Sequence, residues 1–363
     1  MLHFDFDCLQ GIGLTPEIAG RARDGAAGAA TPLHLERVVS VHRETVQLHD
    51  GSASHAARPS PRLVRALLDE DTSLAVGDWV LSSIDGHGER WVQARVPPSS
   101  HLVRRDGDGS RHAVVSNVDR ALVVMGLDDD FNLRRLERYL TLVHAGGIAP
   151  LVVLTKADLL AARPDDRDRH VASLRQRLPA GVEVVVVDAT DPSSAARFAH
   201  VTGRGRTLVL LGSSGAGKST LTNTLLGAAV QDTGAVRRSD GRGMHTTTAR
   251  SLHLLPGGAC IIDTPGLRTL RPDVDEAALV ASFSDVESLS SRCRFRDCSH
   301  GDEPGCAVRD GVDPDRLRNF QKLLRETRRD TMTWVERRQQ LSAWKSRGKA
   351  ARERMRLKRG EGS

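Results

Sequence analysis

The feature that most constrains the fold of this chain is a glycine-rich motif at residues 212–219, with the sequence GSSGAGKS. It directly follows the apolar run 207–211 and opens a helical segment at 218–226. A strand, a loop of the form G-x-x-x-x-G-K-S and a helix together form a phosphate-binding unit, in which backbone N–H groups surround phosphate oxygens. The motif predicts a nucleoside triphosphate site, with the Lys218 ammonium on the β- and γ-phosphates and the Ser219 hydroxyl on Mg²⁺.

Two downstream segments supply the remaining parts of a triphosphate site. Asp263 ends the apolar run 259–262, which places it to hold Mg²⁺ through water, and Gly266 follows in position to meet the γ-phosphate. Residues 241–248 form a loop rich in glycine and hydroxyl groups, which suits closure around Mg²⁺ and the γ-phosphate. We expect Thr247 in this loop to be a further Mg²⁺ ligand.

The base-recognition motif is expected at residues 155–158, Thr-Lys-Ala-Asp, at the end of the apolar run 150–154. The Asp158 carboxylate can accept both the N1 and N2 protons of guanine, whereas adenine has no such donor pair. The same four residues at a helix start often form only a cap. Their position at the C-terminal end of a strand, where open α/β sheets bind ligands, favours guanine recognition.

The order of these motifs predicts a rearranged sheet. An ordinary GTPase has the phosphate-binding loop first and the guanine motif last, but here Asp158 precedes Gly212. Apolar runs at 121–125, 150–154, 182–187 and 207–211 alternate with helical segments, which is typical of a parallel sheet covered on both faces. We therefore predict a multidomain α/β protein whose residues 113–283 form a circularly permuted P-loop GTPase with a doubly wound sheet.

The N-terminal third has a different pattern. Residues 33–112 contain short strand-like segments separated by Gly and Asp turns, without a long helix between them, which predicts a small β-barrel. Residues 1–32 end in a run of Gly and Ala at 25–30 and are expected to form a flexible N-terminal extension.

Three cysteines and one histidine lie close together near the C-terminus: Cys293, Cys298, His300 and Cys306. Three thiolates and one imidazole match a closed, tetrahedral structural zinc site with no open position for catalysis. Unlinked thiols beside a surface histidine are the alternative. We assign residues 284–325 to a zinc-binding domain.

The excess positive charge is concentrated in the C-terminal tail, which we predict to be a basic helical segment at residues 326–363. This tail has 12 Lys/Arg against 5 Asp/Glu, whereas the whole chain has a net charge of +6. Such a block is typical of an arm that binds a polyanion, and equally of a solvated helix end. Aromatic residues are only 3% of the chain, so binding of such a polyanion is expected to depend on charge contacts rather than on widespread stacking.

Composition excludes other classes of protein. Hydrophobic residues make up 39% of the 363 residues, which is enough to bury cores. The apolar runs are strand-sized and far shorter than a membrane span, and the acidic N-terminus does not resemble a secretion signal. We expect a cytoplasmic protein without membrane contact and, because no coiled-coil heptads are evident, a monomer.

From residue 33 to about residue 326 the chain resembles the bacterial ribosome small-subunit-dependent GTPases. The resemblance rests on the motif order, on residues 117–119 (Asn-Val-Asp), on the sequence GRGMHTTT at 241–248 and on the Cys/His cluster. It implies an N-terminal OB-fold, a permuted GTPase and a C-terminal zinc domain that together bind ribosomal RNA. It also implies that the small ribosomal subunit stimulates hydrolysis of GTP to GDP, which assists late maturation of that subunit.

The sequence departs from this family at two places. Thr155 stands where the guanine motif usually begins with Asn, and Asp188-Ala189-Thr190 replaces the later Ser-Ala motif. The resemblance implies that the Ala189 N–H still meets guanine O6. Neither departure removes Asp158.

The water-activating group is the least defined part of the predicted enzyme. Leu267 occupies the place where many GTPases have a water-orienting Gln, so another group must act. His245 in the 241–248 loop is our candidate, because neutral imidazole can orient water near pH 7. Ribosomal RNA supplying the missing group is the alternative.

Three function classes remain distinct. The leading prediction is a GTP hydrolase whose cofactors are one structural zinc ion and Mg²⁺ with GTP, and whose partners are GTP, GDP and the small subunit with its rRNA. The alternatives are a zinc-containing rRNA-binding factor that uses GTP as a clamp without turnover, and a GTPase of the large subunit. The predicted catalytic residues are His245 and Lys218, and the predicted Mg²⁺ ligands are Ser219, Thr247 and Asp263. The predicted nucleotide-binding residues are Thr155, Lys156, Ala157, Asp158, Gly212, Ser213, Ser214, Gly215, Ala216, Gly217, Lys218, Ser219, Thr220, Thr247, Asp263 and Gly266.

Overall fold

A computed structural model describes residues 1–105, 111–229, 250–264, 271–272 and 274–331. Its strands are β1 (Leu2–His3), β2 (Leu33–Val41), β3 (Val46–His49), β4 (Ser54–Pro59), β5 (Trp79–Ile84), β6 (Arg90–Arg95), β7 (His101–Arg105), β8 (Arg111–Ser116), β9 (Arg120–Gly126), β10 (Ala149–Thr155), β11 (Glu183–Val186), β12 (Thr207–Leu211), β13 (Ser251–Leu254), β14 (Cys260–Asp263) and β15 (Arg271–Pro272). Its α-helices are α1 (Phe6–Gln10), α2 (Pro16–Gly25), α3 (Pro61–Asp69), α4 (Leu133–Ala145), α5 (Pro164–Arg175), α6 (Lys218–Leu226), α7 (Glu276–Ser282), α8 (Ser284–Ser290), α9 (Ala307–Gly311) and α10 (Pro314–Thr331). Short 3₁₀ helices lie at Ala157–Leu160 and Pro192–Phe198.

Strands β2 to β6 close into a barrel of five strands. The pairing runs β2-β3-β4-β6-β5 and returns to β2, with β4 and β6 parallel and the other pairs antiparallel. Helix α3 lies between β4 and β5 and packs on the barrel interior through Leu63 and Leu67. A partly Greek-key five-stranded barrel is the OB-fold arrangement, so this prediction is confirmed.

The N-terminal residues pack against this barrel, so the expectation of a flexible extension at 1–32 is wrong for this structure. Thr15 caps α2, Pro16 starts it, and Ile18 and Ala22 lie on its buried face. This face joins a core that contains Trp79 of β5. The Gly and Ala run at 25–30 suggested a linker because small residues supply little apolar signal, although Ala also favours helices and close packing.

The guanidinium of Arg37 on β2 ties this N-terminal layer to the rest of the chain. Arg37 is fully buried and donates hydrogen bonds to the carbonyl oxygens of Ile12 and Asn117 and to the Thr207 hydroxyl. A buried cation needs such partners because burial removes its hydration. Removing the first 32 residues would therefore take away the Ile12 partner of Arg37 and expose the apolar side of β5.

The central sheet has the strand order β11-β10-β9-β12-β14-β13. The five strands β11, β10, β9, β12 and β14 are parallel to one another, and β13 pairs antiparallel with β14. One face packs on α4 and α5 through Leu140 and Leu174, and the other packs on α6 through Leu221 and Leu225. The predicted doubly wound, permuted sheet is confirmed, since β10 with residues 155–158 precedes β12 in the chain.

The C-terminal helices share a separate small core. Leu279 of α7 and Phe283 pack with Val308 of α9 and Phe320 of α10. The predicted boundary at residue 284 therefore falls inside this core, which begins at Val274. Residues 326–331 of the predicted tail continue α10, and residues 332–363 lie outside the described part of the chain. Among the described residues, no helix is both long and apolar enough to cross a membrane.

Candidate nucleotide site and Cys/His cluster

The phosphate-binding loop connects β12 to α6 and depends on glycine at its closest approaches. Gly217 has a φ of 90°, and a Cβ there would lie 3.1 Å from the Thr155 hydroxyl oxygen. A Cβ on Gly212 would lie 2.3 Å from the Val124 carbonyl oxygen. The loop from Gly212 to Gly217 is thus packed directly on the ends of β9 and β10, and larger residues at these two positions would displace it.

The Lys218 side chain folds over the loop that precedes it. Its ammonium donates to the carbonyl oxygens of Gly212 at 2.9 Å and Ser213 at 2.6 Å. Burial lowers the pKa of Lys218, and the charges of Asp263 and Asp130 oppose that effect. Burial likewise raises the pKa of Asp263, against the charge of Lys218. An anionic ligand at this position would replace weak carbonyl contacts of the cation with stronger charge-assisted bonds.

Thr155 connects the guanine motif to the phosphate-binding loop. Its hydroxyl donates to the Ala216 carbonyl oxygen at 2.6 Å, although the position usually holds Asn in the resembled family. Both Thr155 and Ala216 are buried. The smaller residue therefore makes a bond across the two loops, and the departure noted in the sequence leaves them joined.

The other residues of the guanine motif lie at the end of β10. Lys156 has a φ of 60°, and its ammonium lies 2.6 Å from an oxygen of Asp128. Ala157 and Asp158 begin the 3₁₀ helix that follows, and the Asp158 carboxylate is exposed. This places a carboxylate at the open C-terminal edge of the sheet, beside the phosphate-binding loop.

Residues 188–190 form a fixed turn after β11. The Asp188 carboxylate accepts bonds from the Thr190 N–H at 2.8 Å and the Thr190 hydroxyl at 2.6 Å. The Ala189 carbonyl oxygen accepts from the Thr224 hydroxyl of α6 at 2.6 Å. Asp188 thus shapes its own turn, while Ala189 is anchored to the helix that begins at the phosphate-binding loop.

Asp130 is a site residue that sequence reasoning missed. One of its carboxylate oxygens accepts from the Ser213 hydroxyl at 2.5 Å, and the other accepts from the Gly126 N–H at 3.3 Å. The Arg135 guanidinium of α4 also binds Asp130. The sequence signal that could have identified Asp130 is the run of three aspartates after an apolar strand. Because β9 lies next to β12 and ends at the same edge of the sheet, these aspartates come close to the phosphate-binding loop.

Some of the other predicted residues lie at this site, and the rest lie outside the described part of the chain. Ser214 and Gly215 lie in the phosphate-binding loop, and Ser219 and Thr220 lie in the first turn of α6. His245, Thr247, Gly266, Leu267 and the rest of the 241–248 loop are outside the described residues. The hydroxyl of Ser219 and the carboxylate of Asp263 are the hard oxygen donors that Mg²⁺ prefers, so the donor set fits that ion.

The predicted zinc ligands come together in the C-terminal unit. The ligand atoms of Cys293, Cys298, His300 and Cys306 all lie within 4.8 Å of one another. The His300 Nδ1 atom is 3.7 Å from the Cys293 sulfur and 3.6 Å from the Cys306 sulfur, and these two sulfurs are 4.0 Å apart. Zn–S bonds of about 2.3 Å in a tetrahedron require sulfur atoms about 3.8 Å apart. The four residues therefore fit a zinc ion.

Comparison with known proteins gives one family. The family model described as "RsgA GTPase" matches residues 96–272. A protein named Small ribosomal subunit biogenesis GTPase RsgA, from Xanthomonas oryzae pv. oryzae strain MAFF 311018, is 44% identical over 329 residues, which is 88% of each chain. The protein of the same name from Xanthomonas campestris pv. campestris strain B100 is 46% identical over 305 residues, or 81% of each chain.

Two solved structures resemble this one in fold. The crystal structure of YjeQ from Thermotoga maritima matches with a TM-score of 0.60 and 22% identity, covering 81% of this chain and 98% of that one. The structure of YloQ, described as a circularly permuted GTPase, matches with a TM-score of 0.57 and 22% identity, covering 83% and 97%. At this identity the likeness supports the permuted fold.

Proposed function

Because this chain belongs to the RsgA GTPase family, we propose that its nucleotide site hydrolyses GTP to GDP and phosphate and that the small ribosomal subunit stimulates this hydrolysis. The chain covers 88% of a relative named for small ribosomal subunit biogenesis, and its function is that of a GTPase in this process. The observation that carries the proposal is the Thr155–Ala216 hydrogen bond, which joins the base-recognition motif to the phosphate-binding loop in one site.

Phosphate binding is assigned to the loop backbone and Lys218. On GTP binding, the Lys218 ammonium would leave the Gly212 and Ser213 carbonyl oxygens and contact the β- and γ-phosphates. Ser219 and Asp263, with Thr247, would hold Mg²⁺, which neutralises charge on the phosphates when bound. Gly266 would meet the γ-phosphate from the segment after Asp263.

Guanine selection is assigned to the ends of β10 and β11. The Asp158 carboxylate would accept the N1 and N2 protons of guanine, and the Ala189 N–H would donate to O6. Asp128 holds Lys156 beside this position, and Thr224 holds the Ala189 loop. Both supports come from the protein itself, so we expect the base site to be formed before nucleotide binds.

Water positioning is assigned to His245, because Leu267 has no polar atom to orient water. Neutral imidazole can accept a proton from water near pH 7. The alternative is that a group of the ribosomal RNA acts instead. The variant His245→Ala separates the two, since only the first makes stimulated hydrolysis depend on this residue.

The Cys₃His cluster is assigned to a structural zinc ion, and the C-terminal unit with the basic tail to binding of ribosomal RNA. Four protein ligands close the coordination sphere, so the ion would hold loops in place and take no part in hydrolysis. We further propose that the protein acts as a monomer in the cytoplasm, where ribosomal subunits mature.

The test is phosphate release from GTP by the full-length protein alone, with purified small subunits and with large subunits. We expect stimulation by small subunits only, loss of it in Lys218→Ala, and loss of it with retained GTP and subunit binding in His245→Ala. Binding to small subunits without any stimulated release would instead support the use of GTP as a clamp. Stimulation by large subunits would contradict the proposed partner.

A further inference from the structure

A second cluster of potential metal ligands lies at one end of the barrel, away from both sites described above. It consists of Glu36 on β2, Asp50 in the turn between β3 and β4, and His55 on β4. One ligand atom of each residue lies within 4.8 Å of those of the other two. His55 pairs with Leu48, and directly paired residues share a sheet face, so the cluster continues the barrel interior to its open end.

Glu36 is the unusual member, because its carboxylate is fully buried and only half satisfied. One carboxylate oxygen, Oε2, accepts from the Ser82 hydroxyl and from Arg90 Nη1 at 2.9 Å. The other oxygen, Oε1, is buried and has no hydrogen-bond partner among the described residues. A buried carboxylate oxygen without a partner costs several kcal/mol in principle, so a hydrogen-bond donor or a cation at this position would be favourable.

Asp50 is fixed by its own turn in a position that faces His55. Its Oδ1 atom accepts from the N–H groups of Ser52 and Ala53, both at 2.8 Å, and from the Ser52 hydroxyl at 2.7 Å. Its Oδ2 atom lies 2.8 Å from the His55 Nε2 atom. That separation is a hydrogen-bond distance, and it would open to about 3.3–3.4 Å if both atoms became ligands of a tetrahedral cation with bonds of about 2.0–2.1 Å.

We propose that Glu36, Asp50 and His55 bind a divalent first-row transition-metal ion such as Zn²⁺, with water completing its coordination. One imidazole and two carboxylates suit such an ion, since imidazole favours transition metals and carboxylate oxygens bind divalent cations generally. Arg90 neutralises only one of the two carboxylates, and a divalent cation would neutralise the other. The half-exposed side chains of Asp50 and His55 leave an entry path.

The bound ion would tie β2 to the β3–β4 hairpin. Gly51, beside Asp50, lies against the backbone of Cys8, where a Cβ would come within 2.9 Å. The ion would therefore also stabilise the turn on which the N-terminal helices rest. Its role would be structural and separate from that of the Cys₃His cluster, which uses thiolates.

The experiment is a Co²⁺ titration of the full-length protein, loaded beforehand with one zinc ion per chain and freed of excess metal. We expect one cobalt ion per chain to bind without zinc release and without the thiolate charge-transfer band that cobalt shows with cysteine ligands. His55→Ala should weaken this binding at least about tenfold, since even outer-shell changes cost that much. Glu36→Gln, which keeps the shape of the side chain, should weaken it similarly.

The matched control is His87→Ala, which removes an exposed histidine from the β5–β6 turn of the same barrel. It should bind cobalt like the wild type. The proposal is overturned if no cobalt binds beyond the zinc site, if His55→Ala binds as tightly as the wild type, or if cobalt displaces zinc and shows the thiolate band. A protonated His55 paired with Asp50, or a water on Glu36, would give the first of these results.

Discussion

Around Lys218 the functional groups lie at the ends of strands that are buried on both faces, whereas around Cys293 they lie on loops between helices of five to seven residues. In the first region, side-chain hydroxyls bond to the backbone of neighbouring segments. The Thr155 hydroxyl donates to the Ala216 carbonyl oxygen, and the Thr264 hydroxyl donates to the Leu210 carbonyl oxygen, both at 2.6 Å. The second has a small core and four converging ligands. The first site is therefore formed by the fold, and we expect the second to depend on its proposed metal ion.

The two regions are nevertheless in contact. Arg316 of α10 binds the buried Glu137 of α4 at 2.8 Å and Asp285 of α8 at 2.7 Å. Asn319 adds a second bond to Glu137. Helix α4 also carries Arg135, which holds Asp130 against the phosphate-binding loop. Ion pairs and hydrogen bonds therefore join the C-terminal unit to α4, and among the described residues its apolar cluster is separate from the one that contains α4.

Asp158→Asn should have the largest effect on the first region. Losing two charge-assisted hydrogen bonds to guanine, each worth about 1.5–3 kcal/mol, should weaken GTP binding by about 100-fold or more and favour xanthosine triphosphate. Nucleotide titrations measure this, with the exposed Asp165→Asn of α5 as the matched control. Unchanged GTP affinity would remove residues 155–158 from the base site.

Thr155→Val should have a smaller effect on the same region. It leaves the buried Ala216 carbonyl oxygen without this donor, at a cost of about 1–3 kcal/mol. We expect weaker GTP binding, measured by the same titration, with Thr155→Ser close to the wild type because it keeps the hydroxyl. If the Thr155→Val and Thr155→Ser variants bind GTP equally well, the phosphate-binding loop does not depend on the Thr155–Ala216 hydrogen bond.

The smallest effect should be seen in the pH dependence of the Asp285–Arg316 ion pair, which lies within the C-terminal unit and orients Arg316 toward Glu137 of α4. Burial raises the pKa of Asp285, but the hydrogen bonds and charge of Arg316 outweigh it and hold that pKa below its ordinary value. A lowered carboxyl pKa contributes stability above the ordinary value of about 3.9, and that stability is lost as the pH falls through the lowered value.

Thermal unfolding between pH 7 and pH 3 measures this contribution. We expect the contribution of the Asp285–Arg316 pair to be constant down to about pH 4 and to decline below it. Asp285→Asn should unfold at a lower temperature near neutral pH and approach the wild type in acid. Parallel curves for the two proteins would mean that this ion pair does not contribute to the stability of the C-terminal unit.

The parts that the sequence predicted are those in which one residue type has few alternatives. Gly217, Lys218 and the four residues of the Cys/His cluster belong to short motifs with a local chemical logic, and buried strands such as Thr207–Leu211 are marked by their continuous apolar character. The order of Asp158 and Gly212 then determined the permutation. Each of these signals lies within a short segment of the chain.

The parts that were missed depend on contacts between distant segments. Asp130 binds Ser213 across 83 positions, and Arg37 binds Thr207 across 170, so neither has a local pattern. The N-terminal helices are stabilised by burial against Trp79, which composition at 1–32 does not reveal. Glu36 was an ordinary strand residue in the sequence, and only its burial without a partner for Oε1 distinguishes it.

Removing the metal from the Cys₃His cluster tests the division between the two regions most directly. Structural zinc sites contribute about 10 kcal/mol or more to folding, which a core as small as that of the C-terminal unit cannot replace. Cys298→Ser or chelated wild-type protein should therefore lose order around residues 290–310 and bind small subunits more weakly, while its GTP affinity stays that of the zinc-loaded protein. Loss of GTP binding together with the metal would contradict a nucleotide site formed by its own scaffold.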